Sequence, residues 1–250
     1  MITLLHAGLT DLGRMRTTNE DCWAADPGQG LYLVADGLGN AAAGELAARV
    51  VAQALPALLE QYLRGVEELS HPAARQRVVR ALAHLSGQLH QQAQGRAGLE
   101  GMGATVVLAL VRGRHALVAH LGDSRAYLWH RGCLKQLTSD HSLAQLLLDT
   151  GQARRNQVTG DATSGQLTRY VGMPGEALPD ARVIELHAGD RLLLCSDGLT
   201  NMLGNVELLR ILGRRDDPEV ACRQLVDAAN AAGGRDNVTA LVVQVAGVGT

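Results

Sequence analysis

Four aspartates in this chain stand at one kind of position. Asp36 follows the apolar run Leu31-Tyr32-Leu33-Val34-Ala35, Asp123 follows Val118-Ala119-His120-Leu121-Gly122, and Asp197 follows Leu192-Leu193-Leu194-Cys195-Ser196. Asp236 precedes the apolar residues 238–245. Each carboxylate sits at the mouth of a short apolar strand, beside Gly or Asn. Taken singly, an Asp next to Gly at a strand end is more often a turn residue than anything else. Four together at one sheet edge would repel one another, and hard divalent cations relieve such repulsion. An oxygen-only donor set suits magnesium or manganese. Gly37, Gly122 and Gly198 flank three of these acids and let backbone approach an ion or offer it a carbonyl.

Arg16 is the other candidate, in Leu12-Gly13-Arg14-Met15-Arg16-Thr17-Thr18-Asn19-Glu20-Asp21. Its planar guanidinium can hold two phosphate oxygens at once. Spacing alone favours an ordinary surface arginine paired with Glu20 or Asp21.

Bringing these groups together requires several strand ends side by side. Residues 2–9 read as a short strand and 11–21 as a polar, turn-like segment. Residues 31–35 are an apolar run that enters the loop Gly37-Leu38-Gly39. From Gly44 the period changes. Leu46, Val50, Ala54, Leu58 and Tyr62 recur every four residues, with Ala47, Val51, Leu55, Leu59 and Leu63 beside them, which predicts a helix with a broad apolar face. Pro56 should kink or break it. A second helix is expected over 72–94, with Val78, Val79, Leu82, Leu85 and Leu89 inward. Residues 104–111 and 115–121 predict a hairpin, 125–130 and 133–137 a second, and 182–186 and 191–195 a third across Gly189-Asp190. Residues 142–148, 206–212 and 218–232 read as helices, 238–245 as a last strand, and 150–165 as a polar surface segment. Hairpins imply antiparallel pairing, and the long helices must cover the sheets. The expected class is therefore α+β rather than a doubly wound parallel fold.

Composition narrows the function. With 250 residues, 46% apolar and 19% charged, the chain is globular and long enough to bury a full core without staples. It has no Phe, two Trp and four Tyr, so the core must be Leu, Val and Ala. A net charge of -2 offers no excess to neutralise a nucleic-acid backbone, and the stacking aromatics of a single-strand binder are missing. Cys22, Cys133, Cys195 and Cys222 form no CxxC pair, which argues against structural zinc and a disulfide framework and makes buried thiols the expectation for most of them. The N-terminal residues lack a basic, then apolar, leader pattern, and no apolar run is of membrane-spanning length. A cytoplasmic location is expected.

Read in order, several segments resemble the metal-dependent Ser/Thr protein phosphatases of type 2C, specifically the compact bacterial kind. They are Arg16-Thr17-Thr18-Asn19-Glu20-Asp21, Val34-Ala35-Asp36-Gly37-Leu38-Gly39 with Gly44 beyond, and Gly101-Met102-Gly103-Ala104-Thr105. Gly122-Asp123-Ser124-Arg125-Ala126-Tyr127, Thr138-Ser139-Asp140-His141-Ser142-Leu143, Ser196-Asp197-Gly198-Leu199-Thr200 and Gly234-Arg235-Asp236-Asn237-Val238-Thr239 follow. A lone Asp-Gly pair is weak; the ordered set, running from residue 16 to 239, is specific.

The resemblance implies two stacked antiparallel sheets with helices on both outer faces, in one catalytic domain over 1–250 with a flap at about 140–172. It also implies roles. Asp36 would bridge two magnesium or manganese ions, with the Gly37 carbonyl on one, and Asp197 and Asp236 would complete the other. Asp123 with Asp197 would hold a weaker third ion, Glu20 and Asp21 would act mostly through water, and Arg16 would bind phosphate. The implied activity is hydrolysis of phosphoserine and phosphothreonine in proteins by a metal-activated water, opposing a Ser/Thr kinase, by a monomer that needs neither nucleic acid nor membrane. One departure matters. Many relatives carry a histidine, proposed as general acid, where Ala41 stands here, and alanine donates no proton. Either water supplies the proton, another histidine such as His141 reaches in, or the rate is reduced, although His141 reads as structural first. The missing histidine raises one alternative, a catalytically weakened, phosphoprotein-binding pseudophosphatase; a second, a two-metal phosphodiesterase, would use the same carboxylates.

Overall fold

The computed structural model describes residues 2–154 and 165–248. Among these, one sheet has the order β1-β10-β9-β6-β7, from Ile2–Asp11 (β1), Arg125–His130 (β6), Cys133–Gln136 (β7), Arg191–Cys195 (β9) and Val238–Val248 (β10). The other has the order β2-β3-β4-β5-β8, from Asp21–Asp26 (β2), Leu31–Leu38 (β3), Gly103–Arg112 (β4), His115–Leu121 (β5) and Asp180–Glu185 (β8). All the pairings are antiparallel.

The two-residue period of a strand sorts the side chains into three apolar layers. Leu31, Leu33 and Ala35 of β3, with Val106, Leu108 and Leu110 of β4, face the helices α1 (Ala41–Tyr62) and α2 (Pro72–Ala93). Their neighbours Tyr32, Val34, Val107 and Ala109 face the other way, and meet Leu192, Leu194, Leu241 and Val243 of the other sheet. Leu193, Cys195, Ala240 and Val242 of that sheet are covered in turn by α5 (Asn205–Gly213) and α6 (Pro218–Ala231). The central strands are covered on both faces, which is why they read as unbroken apolar runs. The expected α+β sandwich is the observed one. Two short helices complete the described elements, α3 (Leu143–Asp149) and α4 (Asp197–Thr200).

Several local expectations are corrected. Residues 182–186 and 191–195 are not a hairpin: β8 pairs with β5 at the edge of one sheet, whereas β9 is a fully buried inner strand of the other. The intervening residues cross between sheets, with Leu186 buried in the layer the sheets share and the Gly189 amide on the Val245 carbonyl at 2.8 Å. Pro56 does not break α1, because Val51, Leu55 and Leu59 bury the helix on its sheet and tertiary packing outweighs one lost hydrogen bond. The buried stripe of α1 is the second of the two series, while Leu46 is exposed. By length and apolarity residues 42–62 match a membrane span, contrary to the sequence expectation, but the stripe packed on the sheet makes this a core helix. Residues 21–26 form a strand that polar spacing did not announce. Of the four cysteines, Cys195 and Cys222 are buried, Cys22 is half-buried and Cys133 exposed. Residues 155–164, within the expected flap and surface segment, lie outside the described part.

Candidate metal centre

The topology brings the predicted acids to one end of the stacked sheets. Asp36 lies on β3, directly across from Asp21 on β2. Asp123 is in the turn between β5 and β6, Asp197 begins α4 just past β9, and Asp236 lies two residues before the start of β10. Arg16, Glu20, Asp36, Gly37, Asp123, Asp197 and Asp236 line one cleft of about 290 Å³. Asp21 is buried. A larger cavity of about 740 Å³, near Tyr32 and the end of α1, contains none of these acids.

The electrostatics of the cleft are those of carboxylates crowded away from water. Burial pushes Asp36 well above the ordinary carboxylate value, and Asp21, Asp197, Asp123 and Asp236 push it further. Burial also raises Asp123, then Asp197 and Asp140 add to it, against a lowering by Arg125. Asp197 is raised by burial and by Asp236, with side-chain hydrogen bonds to Asp36 and Asn201 opposing. Asp21 is pushed up to about 7 by burial, against hydrogen bonds from Thr239 and Ser196. Both hydroxyls donate to its Oδ2 at 2.7 Å, while its Oδ1 is buried with no partner. Glu20 is raised by burial, with Arg16 opposing.

An orphaned carboxylate oxygen and several buried acids that raise one another's proton affinity form an arrangement a protein rarely keeps for stability. A hard cation with oxygen ligands removes both costs. The residues present therefore fit divalent metal, and the donor chemistry fits magnesium or manganese.

The shape of the cleft depends on close backbone approach. A methyl group added at Gly37 would collide with the Gly44 carbonyl, and one added at Gly44, in the first turn of α1, would collide with the Glu20 carboxylate. These two glycines let β3, α1 and the Glu20 loop meet. Asn40 caps α1, accepting from the Ala43 amide at 3.0 Å.

Positioning residues that sequence reasoning passed over stand behind the acids. Asn237 donates to the Leu12 and Thr18 carbonyls at 3.0 and 2.9 Å and accepts from the Glu20 amide at 2.9 Å, which clasps the Arg16 loop to β10. Asn201 donates to Asp197 Oδ2 at 3.1 Å. Arg125 holds Asp140 through two nitrogens, at 2.8 and 2.6 Å. The signal was present: polar residues interrupt otherwise apolar sequence around each acid, but their partners lie as many as 225 positions away. Arg16 pairs with neither Glu20 nor Asp21; its Nη2 meets Asp236 Oδ2 at 2.7 Å.

His141 faces away from proton transfer in the cleft. It is buried, its Nδ1 accepts from the Gly122 amide at 3.2 Å, and its Nε2 therefore donates to Asp180 at 3.0 Å. Burial and the stacked His120 bring it down to about 4. Its backbone also joins Gly122 and Thr168, so it holds the Asp123 turn against residues near the end of the expected flap. Cys195 is equally excluded as a nucleophile, since burial raises its thiol to about 12.

The family model for protein phosphatase 2C matches residues 14–229. The chain is 33% identical over 244 residues to the serine/threonine phosphatase stp of Listeria welshimeri, covering 96% of each. The serine/threonine phosphatase structure from S. agalactiae superposes with a TM-score of 0.87 at 28% identity, covering 97% of this chain and 100% of that one. The catalytic domain of the serine/threonine protein phosphatase PstP, solved in complex with two manganese ions, superposes with a TM-score of 0.80 at 31% identity, covering 99% of this chain and 100% of that one.

Proposed function

Because the chain belongs to the protein phosphatase 2C family, we propose that it hydrolyses phosphoserine and phosphothreonine in proteins in a metal-dependent reaction. The observation that carries this reading is the convergence of Asp36, Asp123, Asp197 and Asp236 with Arg16 in one cleft. Asp36 with the Gly37 carbonyl, Asp197 and Asp236 would hold the core pair of magnesium or manganese ions, Asp123 with Asp197 a weaker third, and Glu20 and Asp21 would act through water. Bound ions supply positive charge that lowers the pKa of water toward neutrality and offsets the charge of the phosphate.

The chain's own residues do the rest. Arg16 presents two nitrogens to the phosphate oxygens, and Asp236 fixes where that guanidinium stands. Asn201 orients Asp197, and Asn237 holds the loop that carries Arg16. With Cys195 inert, no covalent phosphoenzyme is needed. The phosphodiesterase and pseudophosphatase alternatives are not favoured: the relatives are named as Ser/Thr phosphatases, and a buried acid cluster without metal would be retained at a cost in stability. The reading extends to one catalytic domain over 1–250, a monomer that opposes a Ser/Thr kinase in the cytoplasm, where four free thiols are stable.

Release of phosphate from a phosphothreonine peptide should require added manganese or magnesium and fall to background after chelation; full turnover after exhaustive chelation would overturn the metal assignment. Asp123→Asn should raise the manganese concentration for half-maximal rate while keeping most of kcat at saturation. A kcat loss at saturating metal equal to that of an Asp36 variant would remove Asp123 from the weaker site. Arg16→Lys keeps the charge but loses the bidentate fork, so KM for phosphopeptide should rise by roughly tenfold with a smaller change in kcat. An unchanged KM with a large drop in kcat would assign Arg16 to the transition state alone.

A further inference from the structure

A second group of metal-ligating side chains lies at the other end of the first sheet. His130 ends β6, Asp190 immediately precedes β9, and His187 lies in the crossing from β8 to β9. Because β6 and β9 are paired, His130 and Asp190 meet at the far end of the strands whose other ends lead to Asp123 and Asp197. The intervening strand separates the two centres by about 20 Å.

One nitrogen of each histidine and one oxygen of Asp190 all lie within 4.8 Å of one another. His130 Nδ1 is 2.6 Å from Asp190 Oδ1, His187 Nδ1 is 3.7 Å from Asp190 Oδ2, and the two rings stand edge-on at 5.2 Å. Asp190 is 3% exposed and held in place: the His187 amide donates to Oδ2 at 2.8 Å, and the Asp190 amide returns to the His187 carbonyl at 3.0 Å. The imidazoles are 35% and 43% exposed, so an ion from solvent reaches them. A tetrahedral zinc site places its nitrogen and oxygen ligands about 2.0–2.2 Å from the ion, hence about 3.3 Å from one another. The present spacing needs only small rotations of two half-exposed rings around a fixed carboxylate.

Two imidazoles and one carboxylate are the donor set of borderline ions, in contrast to the all-oxygen cleft. We propose that His130, His187 and Asp190 form a second metal site, for zinc or an ion of its class, with one coordination position open to solvent. The ion takes the place of the hydrogen bond that joins His130 to Asp190, and it ties the end of β6 to the crossing between the sheets. The other such group among the described residues, His120, His141 and Asp180, is already committed: His120 bonds the Ser139 carbonyl, and His141 bonds the Gly122 amide and Asp180. A disadvantage of the proposed site is the Arg215 guanidinium, which lies over Trp129 and against Gly189 and puts a positive charge on the same turn.

Zinc chloride titrated calorimetrically into the manganese-loaded full chain tests this. His130→Gln with His187→Gln should bind one zinc equivalent fewer than the parent, and each single variant should weaken that equivalent by roughly tenfold or more. The double variant should keep the parent's manganese-dependent hydrolysis of p-nitrophenyl phosphate, which also reports that it is folded. Counting zinc by difference separates the site from any exchange of zinc into the cleft. Equal zinc stoichiometry and affinity in parent and double variant would overturn the proposal, as would a parent that binds zinc only where manganese competes for it.

Discussion

Asp36→Asn is expected to lower kcat on a phosphothreonine peptide by on the order of 10³-fold or more, and at the same time to raise the melting temperature of the metal-free protein. Asp36 is the acid most surrounded by others, with Asp21, Asp197, Asp123 and Asp236 all raising its proton affinity. In the proposed reading it is the one ligand shared by both core ions, so its loss removes charge stabilisation where the phosphoryl group reacts. Without metal the same carboxylate is a liability. An acid whose pKa is raised by folding binds its proton more tightly folded than unfolded. Its stabilising contribution is present at low pH and is lost as pH rises through the folded value. For Asp21 that window runs from about 4, the ordinary carboxylate value, to about 7. The metal-free wild type should therefore melt at progressively lower temperature from pH 4 to pH 7. Asp36→Asn should flatten that slope, and manganese should reverse it in the wild type alone. Thermal melts of chelated and loaded protein across this range, beside kcat at saturating manganese, check both halves. A variant with near wild-type kcat would remove Asp36 from the core site, and a metal-free melting temperature that rises with pH would contradict the crowded-acid account.

The acids were legible in the sequence because strands of an antiparallel sandwich end together, so a carboxylate at each strand mouth is a spatial statement as well as a local one. Asp36, Asp123, Asp197 and Asp236 meet for that reason. The helices over 41–62 and 72–93 were legible from their period. What failed to show was partner choice. The turn Gly189-Asp190 carries hairpin residues, yet it links two sheets, because local turn chemistry is silent on which sheet a buried strand such as β9 joins. Arg16 has acids four and five positions away, yet it takes Asp236, 220 positions on, because β10 brings that residue to its loop. His141 offers nothing local to show what its ring does; its two nitrogens are taken by Gly122 and Asp180, 19 and 39 positions away. In each case the deciding contact is tertiary.

The last expected result concerns the proton that the leaving serine or threonine oxygen must acquire. Ala41 is the first residue of α1, next to the cap Asn40, and by the resemblance noted in the sequence it stands at the position where many members of the family would carry a histidine. The described residues that line the cleft include no histidine. His141 is no substitute, being neutral at working pH with its one ring proton aimed at Asp180. Water must then supply the proton, and the deficit should depend on the leaving group. p-Nitrophenolate departs readily unprotonated, whereas a serine alkoxide does not. Ala41→His should accordingly raise kcat on a phosphoserine peptide, within the general-acid range of roughly 10²–10⁴-fold and toward its lower end, because the surrounding loop is not built to orient the new ring. On p-nitrophenyl phosphate it should change little. His141→Ala should act differently. It removes a support of the Asp123 turn, so it should lower both rates together and raise the manganese requirement, without selecting between substrates. A pH–rate series on both substrates for wild type, Ala41→His and His141→Ala separates these outcomes. If Ala41→His alters neither substrate while His141→Ala slows the phosphopeptide alone, the proton comes from His141 by a rearrangement that frees it from Gly122 and Asp180, and the missing-acid account fails.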